Sequence, residues 1–401
     1  MTDSTLARYQ NVMMPVFGQP ALTLVRGEGS YVWDEDGKRY LDLLGGIAVN
    51  VLGHAHPAVA RAVAAQSQEL IHVSNFFATP PAVGLAGDLV RLASADEQVR
   101  SHCRVFLANS GTEANEAALK IVKAWGNTHG KNRIIALERG FHGRSLGALS
   151  VTSKAAYREP FAPLLPNVEW VNPNSPTALD TIGEDVAGVI VEPIQGEAGV
   201  RELPAGFLAD LRQRCDTVGA LLVVDEVQTG MGRTGQWLGH HESGIIPDAV
   251  TLAKGLGGGM PIGAVITMTT AASGVLTAGM HGSTFGANPV CAAAARAVIA
   301  TIENEGLLDH AAQLGQAWRQ QLRQTGGPLV SQVRGRGLLI GIELAEPIAA
   351  AAVVAAREAG FIINATDERT LRLAPALNLS AAEAQSFTAA LPQILQAAGS
   401  R

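Results

Sequence analysis

Three places in this 401-residue sequence put a reactive or charged side chain directly after a run of apolar residues. The first is Lys254, which follows Ala249-Val250-Thr251-Leu252-Ala253 and precedes a glycine-rich turn from Gly255 to Gly259. A lysine beside a buried strand with no acid next to it loses hydration, which lowers its pKa. Its amine can then attack a carbonyl carbon and afterwards carry a proton. A lysine on a flexible surface turn would show the same local sequence. The second is Asp225, after Leu221-Leu222-Val223-Val224. A carboxylate there costs desolvation energy unless it has a partner. A protonated ring nitrogen is one such partner, and Gln228 could donate to a phenolic oxygen on the same ring. Acids at strand ends that serve only structure satisfy the pattern too. The third is Ser110-Gly111-Thr112-Glu113, after Arg104-Val105-Phe106-Leu107. Ser110 and Glu113 have capping-box spacing, which predicts a helix starting at Gly111 or Thr112. Open N–H groups at Gly111 and the Thr112 hydroxyl, at the positive end of a helix, suit a phosphate. A cap with no ligand accounts for the same residues. The concurrence of all three at strand ends favours one shared site.

The elements that must position these residues alternate along the chain. Short β-branched runs, Arg104 to Leu107, Arg133 to Leu137, Val186 to Val191, Leu221 to Val224, Ala249 to Leu252 and Gly263 to Thr267, are separated by Ala-rich helical stretches. This predicts an α/β fold with a large, mainly parallel mixed sheet, its strands apolar throughout because helices cover both faces. Open sheets of this kind bind ligands outside the carboxyl ends of their strands. After a helix from about Pro289 to Glu303 the pattern changes to isolated strands, Gly337 to Leu344 and Leu371 to Leu373. We read a large domain over 61–300 and a smaller α+β domain over 301–401. Residues 1–60, with a hairpin over Val32 to Lys38, pack with the smaller one.

Composition narrows the chemistry. With 47% hydrophobic and 16% charged residues and a net charge of -6, the chain has a large core and no concentrated positive surface, which argues against nucleic acid and acidic membranes as partners. Three dispersed cysteines, Cys103, Cys215 and Cys291, suggest neither a disulfide framework nor a metal site and suit the reducing cytoplasm. The opening Met1-Thr2-Asp3-Ser4-Thr5 does not resemble a secretory leader, and no stretch reaches the ~20 apolar residues of a membrane span. His54 and His56 lack an acid or thiol at ligand spacing, so no metal is expected. Gly230-Met231-Gly232-Arg233-Thr234-Gly235 fits the dinucleotide pattern of glycines, but Asp225 to Thr229 separate it from the preceding strand, so a nicotinamide enzyme is disfavoured.

Further motifs accompany these: Phe141-His142-Gly143-Arg144, Glu192-Pro193-Ile194-Gln195-Gly196-Glu197, Asp225 to Thr234, Thr251 to Gly263, and His281-Gly282-Ser283-Thr284-Phe285-Gly286. With them, the sequence from about Pro20 onward resembles the class III, ornithine-type aminotransferases, of the fold type I group of pyridoxal-phosphate-dependent transferases. The resemblance implies pyridoxal 5'-phosphate as cofactor. Gly111 and Thr112 would hold its phosphate, Phe141 would stack on its ring, Asp225 would pair with its nitrogen and Lys254 would bind its aldehyde carbon. It also implies a homodimer with shared active sites, in which Thr284 completes the neighbouring subunit's phosphate site and Ser283 lies near substrate. Arg144 would clamp a substrate carboxylate, and Arg372 the α-carboxylate of a 2-oxoacid. Glu197 would pair with Arg372 and release it when the dicarboxylate binds. His142 either lines the pocket or serves structure.

The ornithine-specific members carry a tyrosine near the segment Leu43 to Asn50, where this sequence has Gly45, Gly46 and Ile47. Apolar room there resembles the branch taking N2-acetylornithine, with 2-oxoglutarate as acceptor. N-succinyldiaminopimelate, ornithine and 4-aminobutyrate are the competing donors. A nicotinamide oxidoreductase, or a module that binds pyridoxal phosphate without catalysis, would differ by colour. The first would be colourless, and the second would not bleach on adding a competent amine.

Overall fold

The computed structural model describes residues 4–400; the opening residues Met1 to Asp3, part of the segment read above for a leader, lie outside them. Three N-terminal strands, β1 (Leu24–Glu28), β2 (Tyr31–Asp34) and β3 (Arg39–Asp42), pair antiparallel in that order. The turn between β2 and β3 is the expected hairpin. Asp34 Oδ1 accepts from the backbone N–H groups of Asp36 and Lys38 at 3.1 and 2.8 Å, and Gly37 supplies a φ of 81°.

The chain then builds its large sheet from β4 (Arg104–Ala108), β5 (Arg133–Leu137), β6 (Val168–Val171) and β7 (Val186–Val191). After a two-strand ladder of β8 (Ile194–Gln195) and β9 (Arg201–Glu202) come β10 (Leu221–Asp225), β11 (Ala249–Leu252) and β12 (Gly263–Thr267). The strand order is β4-β12-β11-β10-β7-β5-β6, and β12 alone runs against its neighbours. Successive side chains on a strand point to opposite faces. Ile134, Ala136, Ile190 and Val223 meet Ala114, Ala118, Ile121 and Val122 of the helix Gly111–His129. Ile135, Val189, Leu222 and Val224 meet Leu208, Leu211 and Cys215 of the helix Phe207–Val218. Covered on both sides, the central strands have no polar face, which is why they read as unbroken apolar runs. β4 and β10 each run one residue further than expected, so Asp225 is the last residue of its strand. The edge strand β6 was not anticipated: three of its four residues are only partly buried, and Glu169 pairs with Arg133 at 2.6 Å, so apolar continuity is lost.

The chain ends with β13 (Val330–Arg336), β14 (Leu339–Leu344), β15 (Phe361–Ile362), β16 (Asn364–Ala365) and β17 (Thr370–Leu373). The two strands read from the sequence, separated along the chain by a helix, are antiparallel neighbours in a four-stranded sheet, β13-β14-β17-β16, with Gly341 opposite Arg372. β13 escaped notice because Ser331, Gln332, Arg334 and Arg336 interrupt its apolar residues. Gly337, at φ 50°, turns the β13–β14 hairpin, so β14 starts at Leu339 and not at Gly337. β15 leaves that sheet to pair in parallel with β3, Phe361 opposite Leu41, and Lys38 Nζ donates to the carbonyls of Arg357 and Glu358 at 3.3 and 2.9 Å. A continuous core runs from Val250 and Ile266 through the helices Pro80–Ala93 and Pro289–Asn304 to Leu338 and Leu371.

Candidate active site

Since β4, β5, β7, β10 and β11 run parallel, their carboxyl ends open on one edge, and a cavity of about 440 Å³ lies there. Ser110, Gly111 and Thr112 enter it after β4, Phe141 to Arg144 after β5, Glu192 after β7, Asp225 and Gln228 at β10, and Lys254 after β11. Residues far apart in sequence converge because the sheet places strand ends side by side.

Ser110 caps the helix that begins at Gly111, its hydroxyl accepting from Glu113 N–H at 3.3 Å. The reciprocal half of the expected capping box is not made. Glu113 accepts instead from Asn109, backbone and side-chain N–H both at 2.8 Å. A Cβ on Gly111 would stand 2.8 Å from Val227 Cγ1, so only glycine lets that wall close on the helix end. Thr112 Oγ1 lies 2.6 Å from Ser145 Oγ, adding a second hydroxyl that the sequence reading did not single out.

Asp225 is sealed from solvent and fully engaged. Its Oδ2 accepts from His142 Nδ1–H and from Asn115 Nδ2, each at 2.8 Å, and its Oδ1 accepts from Val227 N–H at 3.0 Å. Burial pushes the His142 imidazole down, but the Asp225 bond and charge, with Glu192, carry it above its ordinary value. His142 is thus a partner of Asp225 within the cavity wall. Asn115, which also donates to the His142 carbonyl at 2.6 Å, was missed. Its signal was an amide four residues after Gly111, on the buried Ala-rich face of the helix. Glu192 was quoted only as part of a motif. It accepts from Phe141 N–H at 3.0 Å, and burial, with Asp225's charge adding, pushes its carboxyl up to about 7.

Lys254 sits at φ 40°, a strained value for a residue with a side chain. Its Nζ makes no hydrogen bond or ion pair among the described residues. Burial pushes the amine down to about 8, the charge of Arg372 adding to that and those of Glu197, Glu192 and Asp225 opposing it.

On β17, Arg372 faces inward. Its Nη1 donates to Glu197 at 2.5 Å and to Gln228 Oε1 at 3.1 Å, and its Nε to Asn364 at 3.2 Å, while its buried Nη2 has no partner. Gln228, expected to face a ring oxygen, has its amide carbonyl taken by Arg372, and its Nε2 lies 3.5 Å from Glu197. Burial raises the Glu197 carboxyl, but the guanidinium of Arg372 more than offsets that and holds it below its ordinary value. Arg144 is exposed, with its guanidinium 3.5 Å from the Tyr157 ring centre and 5.7 Å from that of Phe141. Ser283 Oγ accepts from Asn109 at 3.0 Å, next to the cavity; Thr284 is exposed and stands outside it.

The residues set aside have plain roles. His54 pairs with Asp42 at 2.7 Å, and His56 accepts from Ala58 N–H at the start of the helix Pro57–Glu69. The glycines from Gly230 to Gly235 form turns with no helix at the third glycine, unlike a dinucleotide-binding fingerprint.

The donor set suits pyridoxal phosphate. A helix end with two hydroxyls offers a phosphate cradle, Val227 and Phe141 are apolar walls, the Asp225 carboxylate is aimed inward, and an unpartnered amine waits at Lys254. Comparison with known proteins agrees. Residues 13–395 match the profile of the family described as Aminotransferase class-III. The acetylornithine aminotransferase of Mycobacterium tuberculosis is 50% identical over 398 residues, 99% of this chain and 97% of that one. Among solved structures, the N-acetylornithine aminotransferase from Stenotrophomonas maltophilia K279a is 34% identical with a TM-score of 0.82, covering 96% of this chain and 99% of its own. The ornithine aminotransferase from Toxoplasma gondii ME49 is 30% identical with a TM-score of 0.91, covering 98% and 95%.

Proposed function

The chain belongs to the class-III aminotransferases, pyridoxal-phosphate-dependent enzymes, and on that premise we propose that it moves the δ-amino group of N2-acetylornithine to 2-oxoglutarate. The products are N-acetylglutamate 5-semialdehyde and glutamate, a step of arginine biosynthesis. The observation that carries the reading is the unpartnered Lys254 amine, with its lowered basicity, in one cavity with Asp225.

Pyridoxal phosphate, when bound, supplies an aldehyde that takes up the amino group and a ring that takes up an electron pair. Lys254 moves the proton: its neutral amine takes one from the donor carbon bearing nitrogen and would return it to the cofactor carbon on the other side of that nitrogen. An amine titrating near 8 is suited to both directions close to neutral pH. Asp225, fixed in direction by three hydrogen-bond donors, would pair with the ring nitrogen and keep a proton on it. Gly111 and Thr112 would hold the phosphate and Phe141 would pack against the ring, with Gln228 lining the same cavity. Arg144 receives a substrate carboxylate. Arg372 stays paired with Glu197 while the donor is bound and receives the 2-oxoacid's α-carboxylate when Glu197 lets it go.

The donor assignment draws on the segment from Gly45 to Ala48, where four successive residues have positive φ between 57° and 66°. This left-handed turn carries no tyrosine, and a Cβ on Gly45 would collide with the carbonyl of Ala374, two residues beyond Arg372. The 50% identity to an acetylornithine enzyme supports the same donor.

A second copy of the chain would complete the site through Thr284 and Ser283. The exposed rings of Phe76, Phe77 and Phe285 support this: Asn75 donates to the carbonyls of Ser283 and Gly286, joining the two loops into one apolar face. The three cysteines are free and buried, which suits the cytoplasm, and no helix among the described residues is long and apolar enough to cross a membrane. The test is a donor panel with 2-oxoglutarate, together with borohydride reduction and peptide mapping. N2-acetylornithine should be the best donor and the pyridoxyl tag should sit on Lys254. Equal or better turnover of ornithine, or a tag elsewhere, refutes the assignment.

A further inference from the structure

A guanidinium holds its N–H donors in one fixed plane and can grip a carboxylate along either of two edges, Nη1 with Nη2 or Nε with Nη2. In Arg372 the second edge is already occupied. Nε donates to Asn364 Oδ1 at 3.2 Å, Nη1 donates to Glu197 and to Gln228, and Nη2 is buried without a partner.

The register of the small sheet explains how Asn364 comes to be there. β16 pairs antiparallel with β17 and sets Asn364 directly opposite Arg372, so that both side chains leave the same face. On the other flank of β17 the residue opposite Arg372 is Gly341, which has no side chain to compete for that space. A Cβ at Gly341 would stand 2.8 Å from the carbonyl oxygen of Gly199, and the same carbonyl accepts from Arg334 Nε at 2.8 Å. The backbone two residues beyond Glu197 is thereby pinned against the sheet. Arg372 thus lies between an acid on one loop and an amide on the neighbouring strand.

These partners differ in charge. Glu197 is an acid that the guanidinium holds below its ordinary value, whereas Asn364 and Gln228 accept as neutral amides. A neutral acceptor fixes the direction of a cation without cancelling its charge. We propose that Asn364 is a positioning residue for the 2-oxoacid: by holding Nε it closes one edge of the Arg372 guanidinium and presents the other, Nη1 with Nη2, to the α-carboxylate. The proposal rests on the assignment of that carboxylate to Arg372 and adds the group that aims it. An acid at position 364 would be a counter-ion fixed in the strand ladder, unable to leave when Glu197 does. A methyl group there would leave Nε buried without an acceptor and both edges on offer.

The test follows the two half-reactions of the holoenzyme separately, by cofactor absorbance. Asn364→Asp keeps the acceptor and adds charge, and KM for 2-oxoglutarate should rise about tenfold or more. Asn364→Ala removes the acceptor and should raise the same constant severalfold. In both variants kcat/KM for N2-acetylornithine should fall much less than kcat/KM for 2-oxoglutarate. E197Q alone should lower the 2-oxoglutarate constant, and E197Q/N364D should carry it above the wild-type value, because the added acid stays in place. If neither change at position 364 moves that constant while Arg372→Ala raises it, the aiming role is refuted and Arg372 remains the carboxylate's partner. If Arg372→Ala leaves it unmoved, both readings fall. Equal losses in the two half-reactions, with a lowered melting temperature, would show that Asn364 serves the fold alone and would overturn the proposal.

Discussion

The imidazole of His142 stands 2.8 Å from the carboxylate of Asp225, with both side chains shut off from solvent. Asp225 is thus one member of a hydrogen-bonded group that includes Asn115 and the backbone of Val227. Its direction is set by these neighbours in the cavity wall.

His142→Phe removes one of the two side-chain donors that hold Asp225. A hydrogen bond to a charged group contributes roughly 1.5–3 kcal/mol, so kcat should fall about 10- to 100-fold. KM for both substrates should change little. Steady-state kinetics decide this, and a change confined to KM would contradict the positioning role.

The Lys254 amine, pushed down to about 8 by burial, is neutral at pH values where surface lysines are still charged. In the cofactor-free protein its reaction with an amine-directed reagent should rise with pH and level off above about 8. Other lysines should keep rising towards their ordinary value of about 10.4. Peptide mapping by mass spectrometry separates the two profiles.

His142 and Lys254 differ in how far the sequence alone marks them. The strands were legible because burial on both faces leaves only apolar residues, and the site's location followed from the chemistry of their last residues. Lys254, Asp225 and Gly111 each announce themselves locally. His142, Asn115 and Glu192 do not, because their roles lie in bonds to residues distant along the chain, which no periodicity records. Gln228 shows the same limit: it follows Asp225 closely, yet its carbonyl is claimed by Arg372, on a strand from the far end of the chain. The unanticipated strands β6 and β13 carry charges that lie at edges or face outward.

Glu197→Gln releases Arg372 from its acid. KM for 2-oxoglutarate should fall severalfold, and glutamate should gain on N2-acetylornithine as donor. Burial raises the Glu197 carboxyl and Arg372 more than compensates, so the net shift is downward. The ion pair's contribution to stability is therefore present above the ordinary glutamate value of about 4.3 and is lost as pH falls through the lowered one. Thermal melts of wild type and variant should converge as the solution is made more acid.

Arg144→Ala removes the guanidinium that lies over Tyr157. KM should rise for both the donor and 2-oxoglutarate, by about tenfold or more if a bidentate carboxylate contact is lost. An unaffected constant for 2-oxoglutarate would remove Arg144 from the acceptor's binding site.

Gly111→Ala would bring a methyl group to 2.8 and 2.9 Å from the two Val227 methyls, closer than they can stay. The helix end and the cavity wall must separate, and affinity for pyridoxal phosphate should fall about tenfold with the fold intact. Absorbance titration of the cofactor-free protein measures this.

The parallel pairing of β3 with β15, together with the bond from Ala374 N–H to the Leu43 carbonyl, makes the segment preceding the Gly45 turn wait for its second partner, at the far end of the chain. On the ribosome, the strands from Arg104 to Thr267 emerge with their partners and can assemble while synthesis continues. Residues 39–44, paired on one side with β2, keep their other side open until Phe361 and Ala374 have left the exit tunnel. A nascent chain stalled before that point would already hold a phosphate cradle and a reactive lysine, with the substrate side still open to water.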